Sequence, residues 1–309
     1  MTKFYQALCA VSFAALAAAA SPAPLWAQTG SVGLGAAPAM PATPAPAVPA
    51  PHASATAYAP HKALYELKLV AVSSGAGITD IRGNMLYEQD DACDAWTTDH
   101  RFTIEYYYPE RPASVNTTHY VSWEAKDQSQ FQFNSERQEN GTPVELLRGA
   151  VTRGADTAAV AEYTRPEDLY FNLPKGYVLP SFHTQEIIRA AREGRPVFNA
   201  VLFDGTDKKG PVEVNAIVTR KLTAAEVESK LPQVKSGQKI DKNLLAADAW
   251  LVRMAVFPAD DAEGMSPTYE MNLVLHENGV VSHVLVDYKS FKVEQTLTAV
   301  ESLAAKPCK

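Results

Sequence analysis

From residue 61 onward, apolar and polar positions alternate with a period of two along most of this chain. In the first such run Leu64, Glu66 and Lys68 interleave with Tyr65, Leu67 and Leu69. Arg101-Phe102-Thr103-Ile104-Glu105-Tyr106 alternates in the same way, as does Gln130-Phe131-Gln132-Phe133-Asn134. A period of two places one set of side chains on each face of a strand, so these runs predict half-buried antiparallel strands. Asn140-Gly141 and Asn278-Gly279 lie between such runs, and Asn-Gly favours a tight hairpin with both turn residues at positive φ. Around the second, Tyr269–His276 is expected to pair with 280–288. Helical patterns are short. Thr184 is placed to cap 185–193, with Ile187, Ile188 and Ala191 as the apolar face and Gly194 as the stop. Thr223 and Glu226 have capping-box spacing ahead of a segment to Lys230, and Asp241 can cap a turn through Leu244 and Leu245. The pattern is that of a mainly β protein with a few short helices and no internal repeat of 20–50 residues.

The first 60 residues break this pattern. Lys3 is the only charge before residue 61, and an apolar run from Ala7 to Ala20 follows it. That run suits the apolar part of an export signal and falls short of the roughly 18 residues that span a bilayer. Residues 1–27 therefore read as a signal peptide carrying Cys9, and 28–60, rich in Pro and Ala, as a flexible linker that cannot bury enough apolar surface to offset its ordering entropy. Residues 61–309 have the length of one domain with a sizeable core. The formal charge is −7, becoming −8 once Lys3 leaves with the signal. An acidic surface without a basic run argues against nucleic acid and against polybasic membrane attachment, and no transmembrane segment is expected in the mature chain.

Removal of the signal leaves Cys93 and Cys308, 215 positions apart. In an oxidising compartment two thiols of one secreted domain usually pair, and closing so large a ring contributes about 5 kcal/mol in the loop-entropy estimate. Two free thiols or a disulfide-linked dimer are the alternatives at this point. A redox-catalytic pair would need the Cys-x-x-Cys spacing that is absent here.

Several stretches together resemble the EipB family of cell-envelope integrity proteins: HKALYELKL at 61–69, TDIRGNMLYE at 79–88, CDAW at 93–96, LPKGYVLPSFHTQEIIRAAREG at 173–194, AVLFDGTD at 200–207, PTYEMNLVLHENGVVSHVLVDYKSF at 267–291, and the terminal Cys308. At 180–184 this chain has Pro-Ser-Phe-His-Thr where the family pattern is Phe-Pro-Thr-Glu-His-Thr-like. The resemblance implies one long antiparallel sheet wound into an open spiral or incomplete barrel, with Cys93 joined to Cys308. It also implies a periplasmic place in a Gram-negative cell and a role in maintaining the envelope, with no established enzymatic activity.

The residues themselves carry no catalytic motif. His183 has neither a Gly-x-Ser-x-Gly elbow nor a His-Glu-x-x-His helix around it, and capping or packing accounts for it. Asp204-Gly205-Thr206-Asp207 has part of a calcium-loop pattern, but Lys208 and Lys209 follow, and a turn explains Gly205 better. Asp260-Asp261-Ala262-Glu263 reads as a solvated loop. No metal or cofactor is implied. Tyr106, Tyr108, Tyr120 and Trp123 are candidates to line an apolar groove, although strand aromatics more often fill cores. The expected function is a non-enzymatic periplasmic factor that binds other envelope proteins by a concave sheet face or a strand edge, with a carrier of lipid or lipoprotein acyl chains as the alternative.

Overall fold

The computed structural model describes residues 58–153, 159–232, 238–258, 266–304 and Cys308. Fourteen strands form one antiparallel sheet, which is not closed. The first eight are β1 (His61–Val72), β2 (Asp80–Asp91), β3 (Ala95–Tyr107), β4 (Ser114–Ala125), β5 (Gln130–Glu139), β6 (Thr142–Arg153), β7 (Ala159–Arg165) and β8 (Tyr170–Leu173). Helix α1 (Pro180–Arg192) leads from β8 to β9 (Val197–Leu202) and β10 (Val212–Leu222). After α2 (Ala224–Glu228) and α3 (Lys242–Leu245) come β11 (Ala249–Pro258), β12 (Tyr269–His276), β13 (Val281–Asp287) and β14 (Phe291–Ser302). Across the sheet the order is β8-β7-β6-β5-β4-β3-β2-β1-β14-β13-β12-β11-β10-β9.

The first and last strands thus lie side by side at the middle, paired from His61 opposite Ser302 to Val72 opposite Phe291 with register shifts between Leu64 and Tyr65 and between Leu69 and Ala71. From that seam the chain runs outward in both directions, and α1 joins the two outermost strands. The seam also explains the disulfide. Ser302 and Gln89 both lie opposite His61, so the end of β14 and the turn after β2 occupy the same end of the sheet. Only two strand spacings of about 4.8 Å separate them, well within the reach of the residues after Ser302. Cys93 and Cys308 are bonded within one chain, Cα to Cα 5.6 Å.

The alternation resolves into faces as the residues require. Tyr65 and Leu67 are buried while Lys68 is exposed; Phe102, Ile104, Phe131 and Phe133 point inward. Asn140 (φ 51°) and Gly141 (φ 78°) both take the left-handed conformation between β5 and β6. The second hairpin joins β12 and β13 as expected but turns differently. Only Gly279 has positive φ, because the Asn278 side chain is engaged: its Nδ2 donates to Leu244 O (2.8 Å) and its Oδ1 accepts from Val280 N (3.2 Å). A side chain at Gly279 would also collide with the ring of Tyr58, 2.3 Å from an added Cβ. Tyr58 is itself buried, edge-on to Trp96 at 5.1 Å, so the fold already holds the last three residues of the stretch read as linker. Residues 1–57, with the stretch read as a signal and the rest of the stretch read as linker, lie outside the described residues, as do the acidic residues 260–263.

Two of the short helices start where the sequence places them. Thr223 and Glu226 form a capping box on α2, and the Asp241 side chain accepts from Asn243 N on α3. The start of α1 differs. It begins at Pro180 after the N-cap Leu179, so Thr184 lies inside the helix, where its hydroxyl donates to Pro180 O (3.2 Å). The cap is supplied by Glu124 of β4, whose carboxylate accepts from Ser181 N (2.8 Å) and Phe182 N (3.0 Å). A carboxylate there satisfies two otherwise orphaned amides and meets the positive end of the helix dipole. At the other end Gly194 (φ 68°) provides the expected stop.

Candidate functional site

Among the apolar residues that β2–β5 turn inward lies a group of polar and aromatic side chains. Gln89 accepts from Tyr87 (2.6 Å) and Thr98 (3.2 Å), and Tyr87 lies edge-on to His100 at 4.7 Å. His100 also meets Tyr120 at 5.8 Å. Burial pulls the imidazoles down, His100 to about 3 and His61 to about 4, so both are neutral at pH 7. Burial pushes the Glu124 carboxyl up to about 7, against the two helix amides, which favour its charged form. The loop between β9 and β10 closes over this interior: Tyr120 donates to Asp204 O (2.9 Å), Tyr163 donates to Asp207 O (2.9 Å), and Gly205 lies under the Phe133 ring, which leaves no room for a Cβ. Asp204-Gly205-Thr206 is a turn in which one Asp204 oxygen accepts from Thr206 N (3.0 Å) and Thr206 Oγ1 (2.7 Å).

On the outward face of the same strands lies a groove of about 530 Å³. Its floor follows from the register. Glu88, Asp99, Val121, Asn134 and Arg148 stand opposite one another in turn across β2–β6. One step along the strands, Asp90, Thr97, Trp123, Gln132 and Ala150 form a parallel rung. The charges here are compensated locally. Asp99 accepts from Arg101 (2.9 Å) and contacts His119 (3.1 Å), Glu88 contacts Lys62 (3.5 Å), and Arg148 donates to Asn134 (3.2 Å). Partial burial raises the Asp99 carboxyl, but Arg101 and His119 outweigh it and hold it below its ordinary value.

The four aromatics singled out in the sequence do not converge. Trp123 lines the groove. Tyr120 points the other way, into the core, as β4 alternates. Tyr106 packs partly buried against the core, and Tyr108 stacks under Arg111 at the end of β3 with its hydroxyl 3.2 Å from Ser114. His183 is fully buried within α1, against Phe198 at 5.6 Å, and burial lowers its imidazole to about 4. Its position is that of a packing residue. Among the described residues no three of His, Cys, Asp and Glu come together as metal ligands, and no helix is long and apolar enough to cross a membrane. Sequence reading missed both Glu124 as the α1 cap and the two outward rungs, because each joins residues from strands whose pairing the local pattern does not specify.

An open, barrel-like antiparallel sheet with a helix bridging its two outer strands defines the class. A crystal structure of a beta-barrel-like protein of a domain of unknown function from Brucella abortus shares this fold, with a TM-score of 0.71 at 24% identity over 81% of this chain and 100% of that one. The EipB-like family matches residues 52–304, and the chain belongs to that family. Its curated relative, the cell envelope integrity protein EipB of Brucella abortus (strain 2308), is 27% identical over 290 residues, which is 94% of this chain and 95% of that protein.

Proposed function

We propose that this chain serves in the periplasm as a non-enzymatic factor for cell-envelope integrity, and that it acts by adding a strand of another envelope protein to the free edge of β9. The envelope role rests on the family and on the relative's name. The mode of action rests on one observation: the sheet ends on β9, a six-residue strand, Val-Phe-Asn-Ala-Val-Leu, without a charge, a proline or a bulge. Such an edge is a template for pairing unless it is blunted or covered. Val178 occupies one end of it, donating to Val201 O (2.8 Å) and accepting from Phe203 N (3.1 Å). By strand alternation Asn199 and Val197 present their backbone groups to the same edge, where Val197 is 48% exposed. At the opposite end of the sheet β8 has only four residues, too short to offer a comparable ladder.

The test uses a photo-crosslinking residue at Val197 in intact cells, with and without Asn199→Pro. Proline at an outward N–H removes a donor that the fold itself does not use. The reading expects specific crosslinks to envelope proteins that disappear with Asn199→Pro while the melting temperature is retained. Crosslinks that persist in the proline variant would sink the edge, and stoichiometric acyl lipid in the protein purified from cells would favour the carrier.

A further inference from the structure

The groove across the outward face of β2–β6 lies away from the β9 edge, and its composition points to a different ligand. We infer that it is a binding site for a neutral oligosaccharide, with Trp123 as the stacking platform.

The argument starts from what the floor offers. Trp123 stands at the centre of its rung, with the Thr97 hydroxyl and the Asp90 carboxylate on one side and the Gln132 amide on the other. Trp123 is half-buried and lines the groove, and an indole beside polar groups suits a ring that is apolar on its face and polar at its rim. Asp99, Asn134 and Arg148 line the groove in the neighbouring rung. Carboxylates accept, guanidinium donates, and amides do both. Sugar hydroxyls need such a mixture, because every hydroxyl is at once a donor and an acceptor. Among the described residues the Gln132 amide and the Trp123 indole N–H have no hydrogen bond, so both are available. Five strands at about 4.8 Å spacing give a floor of ~19 Å, long enough for several pyranose rings in a row.

Two other occupants fit less well. Each of β2–β6 is paired on both sides, so an extended peptide finds no backbone edge here and would have to satisfy its own amides with side chains alone. A polyanion would meet Glu88, Asp90 and Asp99, and the nearby cations Lys62 and Arg101 are already engaged by Glu88 and Asp99, which leaves Arg148 as the cation lining the groove. Glu88 and Asp99 are already paired with Lys62 and Arg101, which weakens the demand for a cation.

The inference is tested by titration calorimetry of the protein with cellotetraose and with chitotetraose, each up to millimolar concentration, and with tetragalacturonate and an oligolysine peptide as competitors of other chemistry. The expected result is saturable binding of at least one neutral tetrasaccharide, weakened roughly tenfold by Trp123→Ala and also reduced by Gln132→Ala. Gln132 is exposed, so its variant reports on binding even where the tryptophan change disturbs the strand. Asn199→Pro should bind sugar as the parent does, which separates this site from the β9 edge. No saturable heat with either neutral sugar, affinity unchanged in both groove variants, or tighter groove-dependent binding of tetragalacturonate or oligolysine would each overturn it.

Discussion

Strands β2–β5 and β10–β13 are built alike, as antiparallel neighbours with one face inward, yet they bury different chemistry. The middle of β10–β13 is filled with Val214, Val252, Met254, Val256, Met271, Leu273, Val284 and Val286. The corresponding interior of β2–β5 sets Tyr87, Gln89, Thr98, His100 and Tyr120 among Met85, Phe102, Ile104, Phe131 and Phe133, with Glu124 beyond them at the start of α1. Aliphatic packing gains from every methylene removed from water and is indifferent to partners. Polar burial is favourable only when each group finds its partner, and such networks fix a particular arrangement rather than adding much net stability. The second half therefore acts as the scaffold. The first half is shaped more specifically, both inside, where it grips α1 and the β9–β10 loop, and outside, where the groove lies.

The largest effect that tests this comparison comes from the bond tying the two halves together. Cys93→Ala and Cys308→Ala should each lower stability by about 2–5 kcal/mol, with the double variant no worse than either, since one bond is lost in all three. Chemical denaturation checks this; additive losses would show that the cysteines contribute separately. Next is the aliphatic scaffold. Met254→Ala, at 1% exposure, should remove about 2–5 kcal/mol through lost burial and the cavity left behind. A loss well under that range would mean β10–β13 is not the rigid half.

The Glu124 carboxyl gives a smaller effect with a defined pH window. Its value is about 7 in the folded chain against 4.5 as the ordinary value. The folded state thus holds a proton that the unfolded state has released, so this group's contribution is greatest below about pH 4.5 and is lost as pH rises to about 7. By linkage that is at most about 3 kcal/mol. His61, His100 and His183 act oppositely: neutral when folded, they withdraw stability as pH falls below 6.5. The two slopes offset each other in the parent, so the measurement is the difference between parent and Glu124→Gln. The parent should lose stability relative to the variant between pH 4.5 and 7, and a flat difference would remove Glu124 from this role.

The smallest expected effect is at His100. Its ring nitrogens make no hydrogen bond among the described residues, and its neighbours are aromatic rings. His100→Phe should change stability by no more than about 1 kcal/mol, since replacing a buried polar group by an apolar one of similar shape can be nearly neutral. A large loss would show that the polar interior of the first half depends on this imidazole.

Much of the fold was legible along the chain. Alternation in 61–69, 101–106 and 130–134 identified half-buried strands, Asn140-Gly141 marked its hairpin, and Thr223 and Asp241 marked their caps, because each depends on neighbours a few residues away. The pairing of Cys93 with Cys308 was legible for another reason: the expected export to an oxidising compartment would leave two thiols whose usual fate is to join. What tertiary structure alone decided depends on register between distant strands. Tyr120 and Trp123 are three residues apart, and the pleat sends one into the core and the other into the groove, so a shared aromatic character said nothing of a shared site. Glu124 caps a helix that begins 56 residues later, and no local preference of Leu179 or Thr184 could reveal it. The outward rungs exist because five strands align their polar positions, and alignment is set by pairing energies summed over the whole sheet rather than by any one segment.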